Sequence, residues 1–227
     1  MIKRLQKLPC YFTTLFILLT LTALFVSLLP KIQGFLWVNQ YHTNWLDFTF
    51  KIMTNLGDGF FIIFAVILLS AIKKKKKAIA VLLAYAYSGL LVQLFKRLYN
   101  QPRPKLLMQQ LHIPYTHFVQ GLNVHNHSSF PSGHTASAFA LSTIMVLVFK
   151  KKKISVPCIL FSIAVGYSRI YLAQHFPIDV LFGALAGVLC GCLSYHQTYI
   201  LKLFRPVKVA KRLKRLRMAN PELITNG

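Results

Sequence analysis

Three short runs of this sequence place cations and imidazoles at defined spacings. The first is Lys96, six residues, then Arg103-Pro104. The second is Pro131-Ser132-Gly133-His134, and the third is Ser168-Arg169, five residues, His175, three residues, Asp179. These residue types suit chemistry on a phosphate ester. Such an ester repels nucleophiles through its own negative charge, so a catalyst must neutralise that charge. Lys96, Arg103 and Arg169 can do so, and an arginine can grip two oxygens at once. Pro-Ser-Gly-His at a helix start offers free backbone N–H groups to an anion. Gly133 lets the backbone approach closely, and the Ser132 hydroxyl can add a bond. His175 is the candidate nucleophile, which requires a neutral imidazole with one nitrogen free. Pro177 suits the first turn of a helix, so His175 stands just ahead of that helix, whose positive end favours the neutral ring. Asp179, four residues on, can reach back to the other ring N–H and fix the tautomer. His134, on a different helix, can protonate the leaving group. Water would then hydrolyse a phosphohistidine.

Each of these residues taken singly has a plainer explanation. Lysine and arginine at a membrane boundary commonly snorkel. Asp179 alone could stabilise a helix dipole, and His134 alone could be a satisfied interfacial residue. The reading rests on the joint pattern. Other candidates lack partners. His125-Asn126-His127 resembles a metal pair but has no nearby acid or thiol, and belongs more naturally to an outer loop. His42, His112, His117 and His196 have no assigned role. Asp58, in Leu-Gly-Asp-Gly, is read as a helix cap ahead of a contact with the polar site. Arg97 and Lys105 would add field without direct contact.

The elements that must position these groups are apolar. Of 227 residues, 55% are hydrophobic, and 27 Lys plus Arg face four acids, giving a net charge of +23. The acids are Asp47, Asp58, Asp179 and Glu222. A two-metal phosphatase needs several carboxylates to hold its ions, and this chain can hardly supply them, so no metal or other cofactor is expected. In a soluble protein such basicity would suggest nucleic acid. Here the cations sit in short clusters between apolar runs, the membrane pattern, and no nucleic-acid partner is expected. Cys10, Cys158, Cys190 and Cys192 lie in or beside apolar segments and read as small buried hydrophobes.

Six apolar segments, about 11–29, 54–72, 78–95, 132–149, 154–172 and 177–195, approach the ~20 residues that a span requires. They predict an all-α, polytopic six-helix membrane bundle in a single domain over residues 1–227. The second and fourth reach spanning length only by including polar starts, residues 54–59 and 132–135. The first lacks a convincing cleavage site and is followed by Pro30-Lys31, so it reads as a retained helix. Lys3, Arg4 and Lys7, residues 73–77, residues 150–153 and the basic tail of about 200–227 fall on one side of six spans. That side is expected to be cytoplasmic, with both termini on it. Residues 30–53, 96–131 and 173–176 then lie outside, as do the polar ends of helices three to six. Trp45, Phe48, Ile52 and Leu56 recur at helical spacing, which fits an amphipathic helix in the interface or one packed on its neighbours. In the tail, Leu203, Val207, Ala210, Leu213 and Leu216 line one face between cations, as in a helix lying on anionic lipid.

With three motifs in order and on one side, the chain resembles the type 2 phosphatidic acid phosphatase (PAP2) superfamily, which also holds vanadium haloperoxidases and bacterial acid phosphatases. The likeness runs from about helix two to helix six. It implies His175 as nucleophile, His134 as acid, the basic residues as a phosphate cradle, and no metal. An interfacial site suits a lipid whose head group lies at the surface and whose tail stays in the bilayer. The resemblance suggests undecaprenyl pyrophosphate, phosphatidylglycerol phosphate or lipid A phosphate as substrates, met on the outer face of the plasma (inner) membrane. Discrimination among them is expected from tail grooves and the 105–130 loop. Two alternatives are a lipid-to-lipid phosphotransferase and a catalytically silent lipid-phosphate binder. The intact His134, His175 and Asp179 argue against the binder, and the spans argue against a haloperoxidase.

Overall fold

In lipid every backbone N–H and C=O must be satisfied within the chain, and an apolar sequence meets that demand as helix. A computed structural model describes residues 9–119, 121–122, 126–201 and 203, and these residues form nine α-helices. They are α1 Pro9–Leu28, α2 Lys31–Val38, α3 Asn44–Asn55, α4 Gly59–Ala71, α5 Lys75–Leu98, α6 Pro104–Gln110, α7 Gly133–Phe149, α8 Lys152–Tyr171 and α9 Pro177–Tyr195. A π-helical turn, His196–Ile200, follows α9. Lys3, Arg4, Lys7, His125 and the tail from residue 204 onward lie outside the described residues.

All six apolar segments are helical, but the second is shorter than expected. Thr54 and Asn55 close α3, and α4 begins at Gly59, with a 54° bend between the two helices. The break is local chemistry: Asp58 is extended (φ −78°, ψ 156°), and its carboxylate accepts the Gly59 N–H at 2.6 Å, capping α4. Among the described residues four helical stretches are long and apolar enough to cross a bilayer: Cys10–Leu28, Lys75–Leu98, Lys153–Tyr171 and Pro177–Ile200. The bent pair α3–α4 makes a fifth if it is one span, and α7, with 17 residues, is shorter.

That short helix is the centre of the bundle. α7 is buried along most of its length, against α5, α8 and α9, as a helix apolar on all sides must be. Its contact with α9 is close because Gly183, Gly187 and Gly191 repeat every four residues on one α9 face. A Cβ on Gly187 would stand 2.4 Å from the Ala136 carbonyl oxygen, and one on Gly183 would stand 2.5 Å from that of Ser132. Hydroxyls join further helix pairs: Ser162 donates to Ser142 (2.7 Å) between α8 and α7, and Tyr11 bonds Thr143 (3.1 Å) between α1 and α7.

The lysine-rich hairpins meet at one end of the bundle. Lys77 Nζ lies 3.7 Å from the Phe149 ring centre, and Lys76 Nζ lies 4.6 Å from that of Tyr199. At the other end α3 presents Trp45, Phe48 and Ile52 outward, while Phe50 packs on Tyr167 of α8. Trp45, Phe48 and Ile52 of the stripe seen in the sequence thus lie on the outer face of α3, whereas Leu56 is half-buried just past its end.

Candidate active site

The third motif is shaped by two helix ends. α8 finishes at Tyr171, and Ala173 takes the left-handed conformation (φ 51°). The N–H groups of Ala173 and Gln174 then return to the carbonyls of Ile170 and Arg169 (2.9 and 3.0 Å). The chain reverses within a few residues, and the His175 N–H also reaches the Arg169 carbonyl (3.1 Å). Phe176 and Pro177 open α9, whose Asp179 side chain accepts the Phe176 N–H at 2.9 Å. Arg169 and His175 are thus set on the same side of one tight turn.

His175 is 1% exposed. Its Nδ1 lies 3.6 Å from Asp179 Oδ2, beyond hydrogen-bond reach. Oδ2 is already occupied by the Phe176 N–H and by the Ser129 hydroxyl, which donates at 2.5 Å. Among the described residues His175 Nδ1 and Asp179 Oδ1 are both buried without a hydrogen-bond partner. Burial pushes the His175 imidazole down to about 3; the Asp179 carboxylate opposes this shift, and the Arg169 and Arg103 guanidiniums add to it. Burial, more than the helix dipole, thus favours the neutral ring.

The second motif arrives through α7. Ser132 is its N-cap and its backbone N–H bonds the Asp179 carbonyl (2.9 Å), tying the start of α7 to that of α9. Gly133 and His134 occupy the first turn, where backbone N–H groups have no helical partner. The first motif arrives at the end of α5. Lys96 is half-buried in its last turn, and Arg103 is buried just before α6. Arg103 donates from Nε to the His127 carbonyl (3.0 Å) and from Nη1 to Gln174 Oε1 (2.9 Å). Arg169 donates from Nη1 to the Thr54 hydroxyl.

Lys96, Arg103, Gly133, His134, Arg169 and His175 line one cavity of 570 Å³. Asp179 and Ser132 do not line it. Asp179 stands behind His175, and Ser132 is fully buried, its hydroxyl accepting from Thr135 at 2.8 Å. Arg97 is exposed, and Lys105 lies 5.8 Å over the Phe118 ring, away from the cavity. His42 and His117 stack on one another elsewhere, with ring centres 4.6 Å apart. The four cysteines are free thiols. Among the described residues no three His, Cys, Asp or Glu side chains converge as a metal-binding group.

Several further neighbours line the cavity. Thr54, Asn55 and Asp58 of the α3–α4 elbow form a wall; Asp58 caps α4 as favoured from the sequence and also faces the cavity, the alternative weighed there. Their signal was the polar start of the second apolar segment, the same anomaly that marks His134 in the fourth. Gln174 and Ser129 carried no signal of their own. Lys31, read as the boundary of the first helix, places its Nζ 4.3 Å over the Phe176 ring; burial lowers its pKa, and the Asp179 carboxylate opposes that shift.

The PAP2 superfamily model matches residues 77–202. The undecaprenyl-diphosphatase BcrC of Bacillus subtilis is 31% identical over 118 residues, which cover 52% of this chain and 56% of that protein. The chain spans about half the length, or less, of several curated relatives that it matches. Among solved structures, LpxE of Aquifex aeolicus is 32% identical, with 72% of this chain and 93% of that chain aligned at a TM-score of 0.61. The first transmembrane PAP2-type phosphatidylglycerolphosphate phosphatase from Bacillus subtilis aligns over 85% of this chain and 98% of its own at a TM-score of 0.56. At 22% identity that likeness is one of fold.

Proposed function

We propose, for a chain that belongs to the PAP2 superfamily, that it hydrolyses the phosphate of a membrane lipid through a phosphohistidine on His175. The observation that carries this reading is the shared cavity, which gathers two imidazoles and three cations from the ends of separate helices. Lys96, Arg103 and Arg169 bind the phosphoryl oxygens, with Arg103 held in place by Gln174 and the His127 carbonyl, and Arg169 by Thr54. Gly133 and the first turn of α7 add backbone N–H groups.

His175 attacks phosphorus through Nε2 while its Nδ1–H turns to Asp179. The 3.6 Å gap is of the kind that closes when substrate arrives. The bond from phosphorus to the lipid oxygen breaks, and His134 gives that oxygen its proton. Neutral His134 then takes a proton from water, which attacks the phosphohistidine, releasing phosphate and restoring His175. The cations do electrostatically what metals do in carboxylate-bound sites, so the reaction is metal-independent.

Candidate substrates are undecaprenyl pyrophosphate, phosphatidylglycerol phosphate and lipid A phosphate. The protein is a six-span integral membrane enzyme, with the lysine-rich end cytoplasmic and the cavity opening to the periplasm or exterior. The test is phosphate release by purified protein from these three lipids. The expected result is turnover of at least one, unchanged by EDTA, with a loss of about a thousandfold or more in His175→Ala, and an acid-labile phosphoryl label on the wild-type protein. Full activity in His175→Ala removes the nucleophile, and inactivation by EDTA removes the metal-free mechanism.

A further inference from the structure

The elbow between α3 and α4 is pressed directly against His134. Gly57 sits at the contact. A Cβ there would lie 3.1 Å from both the His134 Cβ and its carbonyl oxygen, and 2.5 Å from a Val165 methyl. The two residues that flank this contact and face the cavity are Asn55 and Asp58. Neither side chain is saturated with hydrogen bonds, although the Asp58 carboxylate also interacts electrostatically with the Arg169 guanidinium and Asn55 is exposed. Asp58 Oδ1 accepts the Gly59 N–H, and among the described residues no second donor reaches its carboxylate. The Asn55 amide makes no side-chain hydrogen bond to a described residue, while its neighbour Thr54 is engaged by Arg169. An acceptor and a donor–acceptor therefore stand open on the wall of the cavity that His134 also lines.

We propose that Asn55 and Asp58 form a leaving-group subsite for a hydroxyl of the released alcohol, so that phosphomonoesters of hydroxylated head groups, a glycerol or a sugar, are preferred over diphosphates. The inference rests on the phosphatase reading, with His134 on the leaving-group side. A carboxylate can only accept hydrogen bonds, so its partner must donate. A hydroxyl near the ester oxygen meets that requirement, and Asn55 can bond the same group or its neighbour. In a diphosphate the leaving group is itself a phosphate, which brings further negative charge against Asp58 and offers it no proton. The bond broken and the proton given by His134 are those already described; the subsite decides which alcohol is held there.

The experiment uses three lipids that share a diacylglycerol scaffold. Phosphatidylglycerophosphate has a hydroxylated leaving group, phosphatidic acid has none, and diacylglycerol pyrophosphate releases a phosphate. Wild-type kcat/KM is expected to be about tenfold or more higher for phosphatidylglycerophosphate than for the pyrophosphate. Asp58→Asn, whose side chain still caps α4, is expected to narrow that ratio about tenfold, and Asn55→Ala to lower turnover of phosphatidylglycerophosphate alone. A wild-type preference for the pyrophosphate overturns the inference, as does an equal effect of Asp58→Asn on all three lipids. In either case phosphate release from phosphatidic acid, abolished in His175→Ala, leaves the phosphatase reading standing. Release from none of the three overturns this inference, and the phosphatase reading then rests on the undecaprenyl pyrophosphate and lipid A phosphate assays.

Discussion

Ser129 is a small residue with a large share of the geometry. It is fully buried, and its hydroxyl holds the oxygen of Asp179 that faces His175. We expect Ser129→Ala to lower kcat by about 10- to 100-fold with little change in KM, since partners that orient a working group typically matter to that extent. Freed from Ser129, Asp179 can pair with His175 in the resting enzyme and raise its pKa, so the acid limb of kcat/KM should move up in pH. Ser129→Thr, which keeps the hydroxyl, should recover part of both effects; a merely structural role would leave the acid limb in place. His175 also links stability to pH. Its pKa is near 6.5 in an unfolded chain and about 3 in the fold. As pH falls from 6.5 towards 3, the unfolded chain binds a proton that the fold refuses, so stability declines, by at most about 1.4 kcal/mol per pH unit from this group. Above that window the group adds no slope. Thermal unfolding in detergent between pH 7.5 and 5 should show the decline, and His175→Gln should flatten it.

Helices meet here where side chains are absent. The Gly183, Gly187 and Gly191 face of α9 lets α7 approach backbone to backbone, and this contact sets His134 opposite His175. Gly187→Ala would drive a Cβ into the Ala136 carbonyl oxygen (2.4 Å) and the Ala140 nitrogen (2.9 Å), and neither can swing aside. Overpacking of this kind typically costs about 1–3 kcal/mol, so Gly187→Ala should melt well below the wild type, and Gly187→Leu should not accumulate as folded protein. Gly89 of α5, with nothing within 4 Å of a Cβ, is the control: Gly89→Ala should be neutral, or stabilising by about 0.5–1 kcal/mol through helix propensity. Sequence periodicity locates helices such as α7 and α9 well, because twenty apolar residues have few other solutions in lipid. It overran α4 because hydropathy averages across residues 54–58, where an aspartate cap and a 54° bend separate two helices.

Among the described residues, the lysine-rich hairpins and the cavity cations stand at opposite ends of the bundle. The residue 73–77 and 150–153 hairpins converge around Phe149 and Tyr199, while Arg103, Arg169, His134 and His175 gather at the other end. On the positive-inside rule the cavity is expected to face outward. In a variant lacking the four native cysteines, Leu111→Cys should react with an impermeant maleimide added from outside, and Lys75→Cys should react only after the membrane is opened. The reverse pattern would turn the molecule over.

The sequence by itself determined the three motifs and most of the helical segments, because each is written in residue type and spacing along one chain. It also marked every cation and imidazole that lines the cavity. Tertiary structure alone decided which of those groups touch, and through what. Ser132 turns to Thr135 and not into the cavity; Asp179 is held by Ser129 from fifty residues away; Arg169 is met by Thr54 from a helix outside the motifs. These contacts depend on how closely α7, α8 and α9 approach and where the α3–α4 chain bends. Such distances are set by glycine faces and a capped turn between segments far apart in sequence, which local spacing does not record. The histidine expected at the outer face is accordingly buried, with its carboxylate partner 3.6 Å away and bonded to a serine and a backbone N–H.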